Sequence, residues 1–283
     1  MESRMNFERN LLALSVSDRR LCARLSAAET TRGRYRFLVS KTAEIVPAAV
    51  EKSGSARPLH SLVDPRKEAA RIVSTVRGGG LLILLGLGGG YVAEAALDRD
   101  DIHGLIVVEY DTDGIAELLA AKEYLRLFGD PRFRLLVDPG SADIEACIIE
   151  TYRPALLGGI AVLPLRSRTD TLPDRFSAAT DTIVATIDSI SDDYSVQAYF
   201  GKRWFANAIR NLLAADAPVS PLPPARRIAI TAAGPSLDGQ LGALAAERKS
   251  LFLLSTDTAL PALLAAGLTP DAVISIDCQH ISY

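Results

Sequence analysis

The chain has 283 residues, 48% apolar and 23% charged, with a formal net charge of −3, the composition of a soluble globular protein with material for two domains. No Lys/Arg-rich run stands out, so neither nucleic acid nor an acidic membrane surface is an expected partner. The apolar run "LLILLGLGGG" is too short and too glycine-rich to span a bilayer, the N-terminal "MESRMNFERN" lacks an apolar signal core, and Cys22, Cys147 and Cys278 are scattered as free thiols, so a cytoplasmic location is expected.

In chain order, residues 5–27 pattern as a helix through Leu11, Leu12, Leu14, Leu21 and Leu25, and "RYRFLVS" (34–40) reads as a strand. "SGSARPLHS" (53–61) reads as a loop. "DPRKEAARIVSTV" (64–76) opens a helix well, with Asp64 to cap it, Pro65 in the first turn and Glu68 near the positive end. A run of alternating elements follows: strand 81–85, helix 90–97, strand 104–110, helix 112–125, strand 133–138, helix 141–152 and strand 159–165. Leu/Ile/Val-rich strands without clean alternation fit a parallel sheet covered on both faces, and the strand–helix order fits a doubly wound α/β domain. Residues 174–215 are helix-compatible and proline-free, and "DAPVSPLPPA" (216–225) reads as a stiff linker. A second series starts at Arg227: "RIAITA", a helix after "GPSL", "LFLLST" (251–256), a helix over 258–266 and "AVISID" (272–277).

The fold class is therefore α/β, with two Rossmann-like doubly wound parallel-sheet units, the second truncated after three strands. The expected domains are a helix-and-strand segment (1–56), a Rossmann-like unit (57–173), a helical connector and Pro-rich linker (174–225) and the start of a nucleotide-binding domain (226–283).

Two glycine-rich junctions carry candidate chemistry. "GLGGGY" places Gly86, Gly88, Gly89 and Gly90 after a strand, with Tyr91 where G-x-G-x-x-G would have its last glycine. Glu109 ends the next strand, in the layout that dinucleotide- and methyl-donor-binding folds use for a ribose. The same residues also suit a plain strand-to-helix turn with a solvated Glu109, and no methyltransferase catalytic set follows. In "AAGPSLDG", Gly234 allows close approach, Pro235 suits a helix start, and the N–H groups of Ser236 and Leu237 with the Ser236 hydroxyl face a potential phosphate. Asp257 and Asp277 end the next two strands, so in a parallel sheet all three sites share the carboxyl edge, although Asp257 equally suits a helix cap.

His60, His103 and His280 lack metal-ligand spacing, so no metal site is expected, and no G-x-S-x-G occurs. Tyr199, Phe200, Trp204 and Phe205 read as helix–sheet packing, with a ligand platform as the alternative.

Taken together, "LHSLVDPRKEA" (59–69), the glycine run at 84–91, "AAGPSL" (232–237), "STDTALPALLAAGLTPD" (255–271) and "ISIDCQHISY" (274–283) resemble the motility accessory factor family of flagellin-modifying glycosyltransferases. That family's central region is shared with 6-hydroxymethylpterin diphosphokinases. The resemblance implies an α/β N-terminal domain, a sialyltransferase-like central domain and a helical C-terminal region. It also implies transfer of a pseudaminic- or legionaminic-type sugar from a CMP-sugar to Ser or Thr of flagellin. On it, Gly234, Pro235 and Ser236 match the nucleotide-side motif, and Asp257, Thr258 and Asp277 match the next two strand-end motifs. The expected partners are a sugar nucleotide and flagellin. The alternatives are a diphosphokinase using ATP and Mg²⁺ held by Asp257 and Asp277, or a non-catalytic docking module. The catalytic base has no candidate, and the chain reads as a fragment of a longer protein.

Overall fold

The structure is a computed structural model, and it describes residues 2–31, 33–214 and 227–275. Two compact units divide at Ile190/Ser191. The first 56 residues therefore share a unit with the strand–helix series that follows them.

The first unit opens with α1 (Glu2–Ser17) and α2 (Arg19–Ser26). The single helix expected over 5–27 is broken at Asp18, whose extended backbone and side chain cap α2 through the Leu21 N–H. Three antiparallel strands follow, β1 (Tyr35–Val39), β2 (Ile45–Val50) and β3 (Ala56–Pro58), paired in that order. The last two were not expected, and β3 lies within the stretch read as a loop. Then α3 (Pro65–Val73) begins as its sequence dictates, with Asp64 accepting from the Lys67 N–H at 2.9 Å. Asp64→Ala should cost about 1 kcal/mol, read as a small fall in the urea midpoint at constant m-value.

The central series is β4 (Gly80–Leu85), α4 (Tyr91–Leu97), β5 (Ile102–Glu109), α5 (Thr112–Ala121), α6 (Leu125–Gly129), β6 (Phe133–Val137), α7 (Ser141–Thr151), α8 (Pro154–Leu157), β7 (Ile160–Pro164) and α9 (Arg166–Thr169). The four strands form one parallel sheet in the order β6-β5-β4-β7. The chain builds outward from β4 to β6, then returns to β4's other side, which makes β4/β7 the topological switch point. Every residue of β4 is buried because helices cover both faces. On one face Leu82, Leu84, Leu105 and Val107 pack under α4 and α5; on the other Leu81, Ile83, Ile106 and Val108 pack under α7 and the start of α10 (Pro173–Ala214). Each fully buried Leu, Ile or Val of this kind contributes about 1.5–3 kcal/mol.

Several polar side chains are fixed inside this unit. Asn10 of α1 is fully buried; its amide donates to the carbonyls of Leu119 and Lys122 and accepts from the Tyr124 N–H. Lys122 lies over the Tyr91 ring at 4.1 Å, and burial pulls its ammonium below the usual lysine range.

The second unit contains the rest of α10, then β8 (Ile228–Thr231), α11 (Ser236–Glu247), β9 (Phe252–Thr256), α12 (Leu260–Ala265) and β10 (Ala272–Ile274). Its strands pair in parallel in the order β10-β9-β8. A small core of Leu237, Leu253, Ala259, Leu263 and Leu268 fastens both helices to one face. On α10, Tyr199 is 71% and Phe205 72% exposed, so these aromatics do not form the expected helix–sheet packing cluster. Phe200 instead meets Tyr199 edge-on and stacks on Trp204 along the helix. The Pro-rich stretch 216–225 and Asp277 lie outside the described residues.

Candidate functional site

The two glycine junctions both sit at carboxyl edges of parallel sheets, and their geometries are opposite.

In the first unit, the turn between β4 and α4 uses left-handed backbone at Gly86 (φ 96°), Gly88 (φ 54°) and Gly90 (φ 83°), which L side chains adopt only with strain. The turn is covered by the protein's own groups. A Cβ at Gly86 would lie 2.8 Å from the Arg168 side chain, and one at Gly88 would lie 2.5 Å from His60 Nε2 and 2.7 Å from Leu165. His60 Nε2 accepts from the Gly89 N–H at 2.8 Å, an amide that in an open loop would face a ligand. Glu109 does meet this turn, but not as a free acid. It has no exposed surface, and its oxygens accept from the Leu87 N–H (2.8 Å) and the Tyr110 N–H (2.7 Å). Arg168 Nε lies 2.8 Å from Glu109 Oε1, and the same guanidinium donates to the Tyr110 carbonyl at 2.6 Å and to Thr171. Burial pushes the Glu109 carboxyl above its usual range, against the opposing pull of Arg168 and the two amides. The solvated Glu109 of the alternative reading is thereby corrected. The place a ribose would take is filled by Arg168, which comes from the short helix after β7 and had no motif to announce it.

In the second unit, the turn after β8 is open. Gly234, Pro235 and Ser236 are all exposed, and a Cβ at Gly234 would meet nothing nearer than Ser236 Oγ at 3.9 Å. Pro235 occupies the N-cap of α11 at φ −57°. Of the two amides assigned to a phosphate, that of Leu237 is spent on the Gly234 carbonyl at 3.0 Å. The Ser236 N–H and hydroxyl remain at the helix start, where the partial positive charge of α11 is concentrated. Register places the neighbouring strand end alongside, with Thr231 paired to Ser255, two residues before Asp257. Asp257 Oδ1 accepts from the Thr258 N–H at 2.7 Å, and Oδ2 accepts from Ser275 Oγ at 2.6 Å, so this carboxylate ties the ends of β9 and β10 together. Thr258 Oγ1 lies 3.1 Å from Thr256 Oγ1. Gly234, Ser236, Asp257 and Thr258 thus share one edge. Among the described residues no group of three His, Cys, Asp or Glu side chains could hold a metal ion, and no helix is long and apolar enough to cross a membrane.

Residues 202–283 match the family described as 6-hydroxymethylpterin diphosphokinase MptE-like. An uncharacterized protein of Treponema pallidum (strain Nichols) is 34% identical over 147 residues, 51% of this chain and 69% of that one. A second uncharacterized protein of the same organism is 28% identical over 140 residues, 50% of this chain and 31% of the other. The solved MAf glycosyltransferase from Magnetospirillum magneticum AMB-1 superposes with a TM-score of 0.54 at 17% identity, over 96% of this chain and 49% of that one. The chain thus spans about half the length of that structure, whose likeness is one of fold. The chain thus belongs to one family with the first of these Treponema pallidum proteins, its residues 202–283 carry the MptE-like region, and its fold is that of the Maf glycosyltransferase.

Proposed function

We propose that the chain supplies the donor-nucleotide side of a Maf-type glycosyltransferase, which moves a nonulosonic acid from its CMP-activated form to a Ser or Thr of flagellin. The observation that carries this reading is the open Gly234-Pro235-Ser236 turn at a helix start on the carboxyl edge of a parallel sheet, inside the family-matched segment. The CMP phosphate sits against the Ser236 N–H and hydroxyl. As the acceptor hydroxyl bonds to the sugar's anomeric carbon, the bond from that carbon to the phosphate oxygen breaks and charge builds on departing CMP. The start of α11 stabilises that charge where it develops. The acceptor proton goes to a base that none of the described residues supplies in this reading. The family description favours one second reading, a pyrophosphoryl transfer from ATP, in which Asp257 and Asp277 hold Mg²⁺.

Calorimetry on the chain separates the readings. CMP binding without metal supports the first; ATP binding that requires Mg²⁺ supports the second. Gly234→Val should abolish CMP binding, and Ser236→Ala should weaken it by about 1 kcal/mol or more, since the lost partner is charged. Neither should move the melting temperature. If CMP and ATP both fail to bind, or Gly234→Val leaves CMP affinity intact, the turn serves the chain's path alone.

A further inference from the structure

We infer that the first unit carries a separate small-molecule site, at the carboxyl ends of β5 and β6, shaped for a nucleoside monophosphate. The switch point of that sheet is closed by Arg168, Leu165 and His60. One position along the same edge, between the β6–α7 turn and the first turns of α10, lies an open cleft of about 570 Å³. That volume is in the range of small-ligand sites, roughly 300–1,000 Å³.

The strongest pointer is Tyr110. It lines the cleft, is only 6% exposed, and packs its ring edge-on against Phe176 with centroids 5.1 Å apart. Its hydroxyl nevertheless makes no hydrogen bond among the described residues. The ring is buried but the hydroxyl is not, so it opens into the cleft and is available to a guest.

The other walls state the guest's chemistry. Arg175 is 58% exposed at its side chain, with its guanidinium 5.3 Å from the Tyr110 ring centre. One of its nitrogens binds Asp138 Oδ1 at 2.7 Å and the others are left for a ligand. The eleven-residue α7 begins here, and its first N–H groups, those of Ser141 and Ala142, have no acceptor within the helix. Asp138 does not oppose an anion strongly. Besides Arg175, its oxygens accept from the Asp111 N–H, the Thr112 N–H and the Thr112 hydroxyl, which uses all four lone-pair positions. A cation finds no free carboxylate oxygen on Asp138. An anion finds a guanidinium, a helix start and the Ser141 hydroxyl, which accepts from Thr182 and keeps its own proton to donate, and the apolar side formed by Ile144, Ala178 and Ala179 takes a flat ring.

The test uses AMP on the full chain, which keeps it apart from the CMP reading of the second unit. AMP should bind by calorimetry, with adenosine and inorganic phosphate each weaker by about tenfold or more, because each keeps one half of the contacts. Ala178→Trp, on the exposed side of α10, fills the cleft and should abolish binding. Ser141→Glu, an acidic residue at a helix start that the fold tolerates, should do the same by charge. Arg175→Ala should weaken AMP by about tenfold, and Tyr110→Phe by about threefold. Gly234→Val should leave AMP affinity unchanged, so that failure here and failure of the glycosyltransferase reading are told apart. The proposal is overturned if AMP does not bind, if it binds Ala178→Trp and Ser141→Glu as it binds the parent, if Gly234→Val removes it, or if adenosine or phosphate alone binds as tightly.

Discussion

Replacing Arg168 by Ala is expected to destabilise the first unit by about 3–5 kcal/mol, among the largest effects of any single substitution in the chain. The reason is what stays behind. Glu109 has no exposed surface, and without Arg168 its charge faces only the Leu87 and Tyr110 amides. The Tyr110 carbonyl loses a buried donor as well. Denaturant unfolding reads the loss directly, and for a unit of this size the melting temperature falls by about 2–4 °C for each kcal/mol. The pH dependence has a definite sign. Burial already raises the Glu109 carboxyl, and removing Arg168 raises it further. A carboxyl raised in the folded state binds its proton more readily folded than unfolded. Its protonation therefore stabilises at low pH, and that contribution is lost as pH rises. The deficit of Arg168→Ala should narrow between about pH 7 and about pH 5. The pair Arg168→Met with Glu109→Gln removes both charges and keeps one acceptor, so it should be more stable than Arg168→Ala at pH 7. A deficit that ignores pH, or a double variant no better than the single, would show that this ion pair is not what closes the turn.

Gly88→Ala is expected to cost about 2–4 kcal/mol, from left-handed strain and from overpacking against His60 and Leu165. His60 cannot yield cheaply, because its imidazole is buried and holds the Gly89 N–H. Gly234→Ala, at the other junction, should change stability by less than about 1 kcal/mol, since its φ is not left-handed and its Cβ would lie in open space. Chemical denaturation of the two variants side by side checks this. Equal costs would mean that the two turns do not differ in the way their surroundings say.

These two turns also mark how far the sequence could be read. Leu81–Leu85 and the strands after it announced a parallel sheet because burial on both faces leaves no polar alternation, and every residue of β4 is indeed buried. Asp64-Pro65 announced α3 because capping is local chemistry. The N-terminal sheet was not legible. Its central strand β2 contains Pro47, which argues against a paired strand, and β3 is only three residues long. Glu109 was placed correctly at a strand end, but what it does depends on Arg168, 59 residues later, and no local pattern encodes that meeting. The Gly234 turn was legible as an open helix start on a parallel edge. The spending of the Leu237 amide was not, because it rests on the turn's own geometry.

Asn10 sets an order of events. The carbonyls of Leu119 and Lys122, at the end of α5, are satisfied by a side chain from the first helix, 109 and 112 residues upstream. On the ribosome, α1 emerges long before the groups that hold it exist. It can form its own turns early, but its buried amide must remain hydrated until α5 and Tyr124 have been synthesised and the chain folds back. Residues made early are therefore among the last to be secured. A pause in translation before residue 124 would leave the first helix waiting at the surface, with Leu14 and Asn10 still facing water.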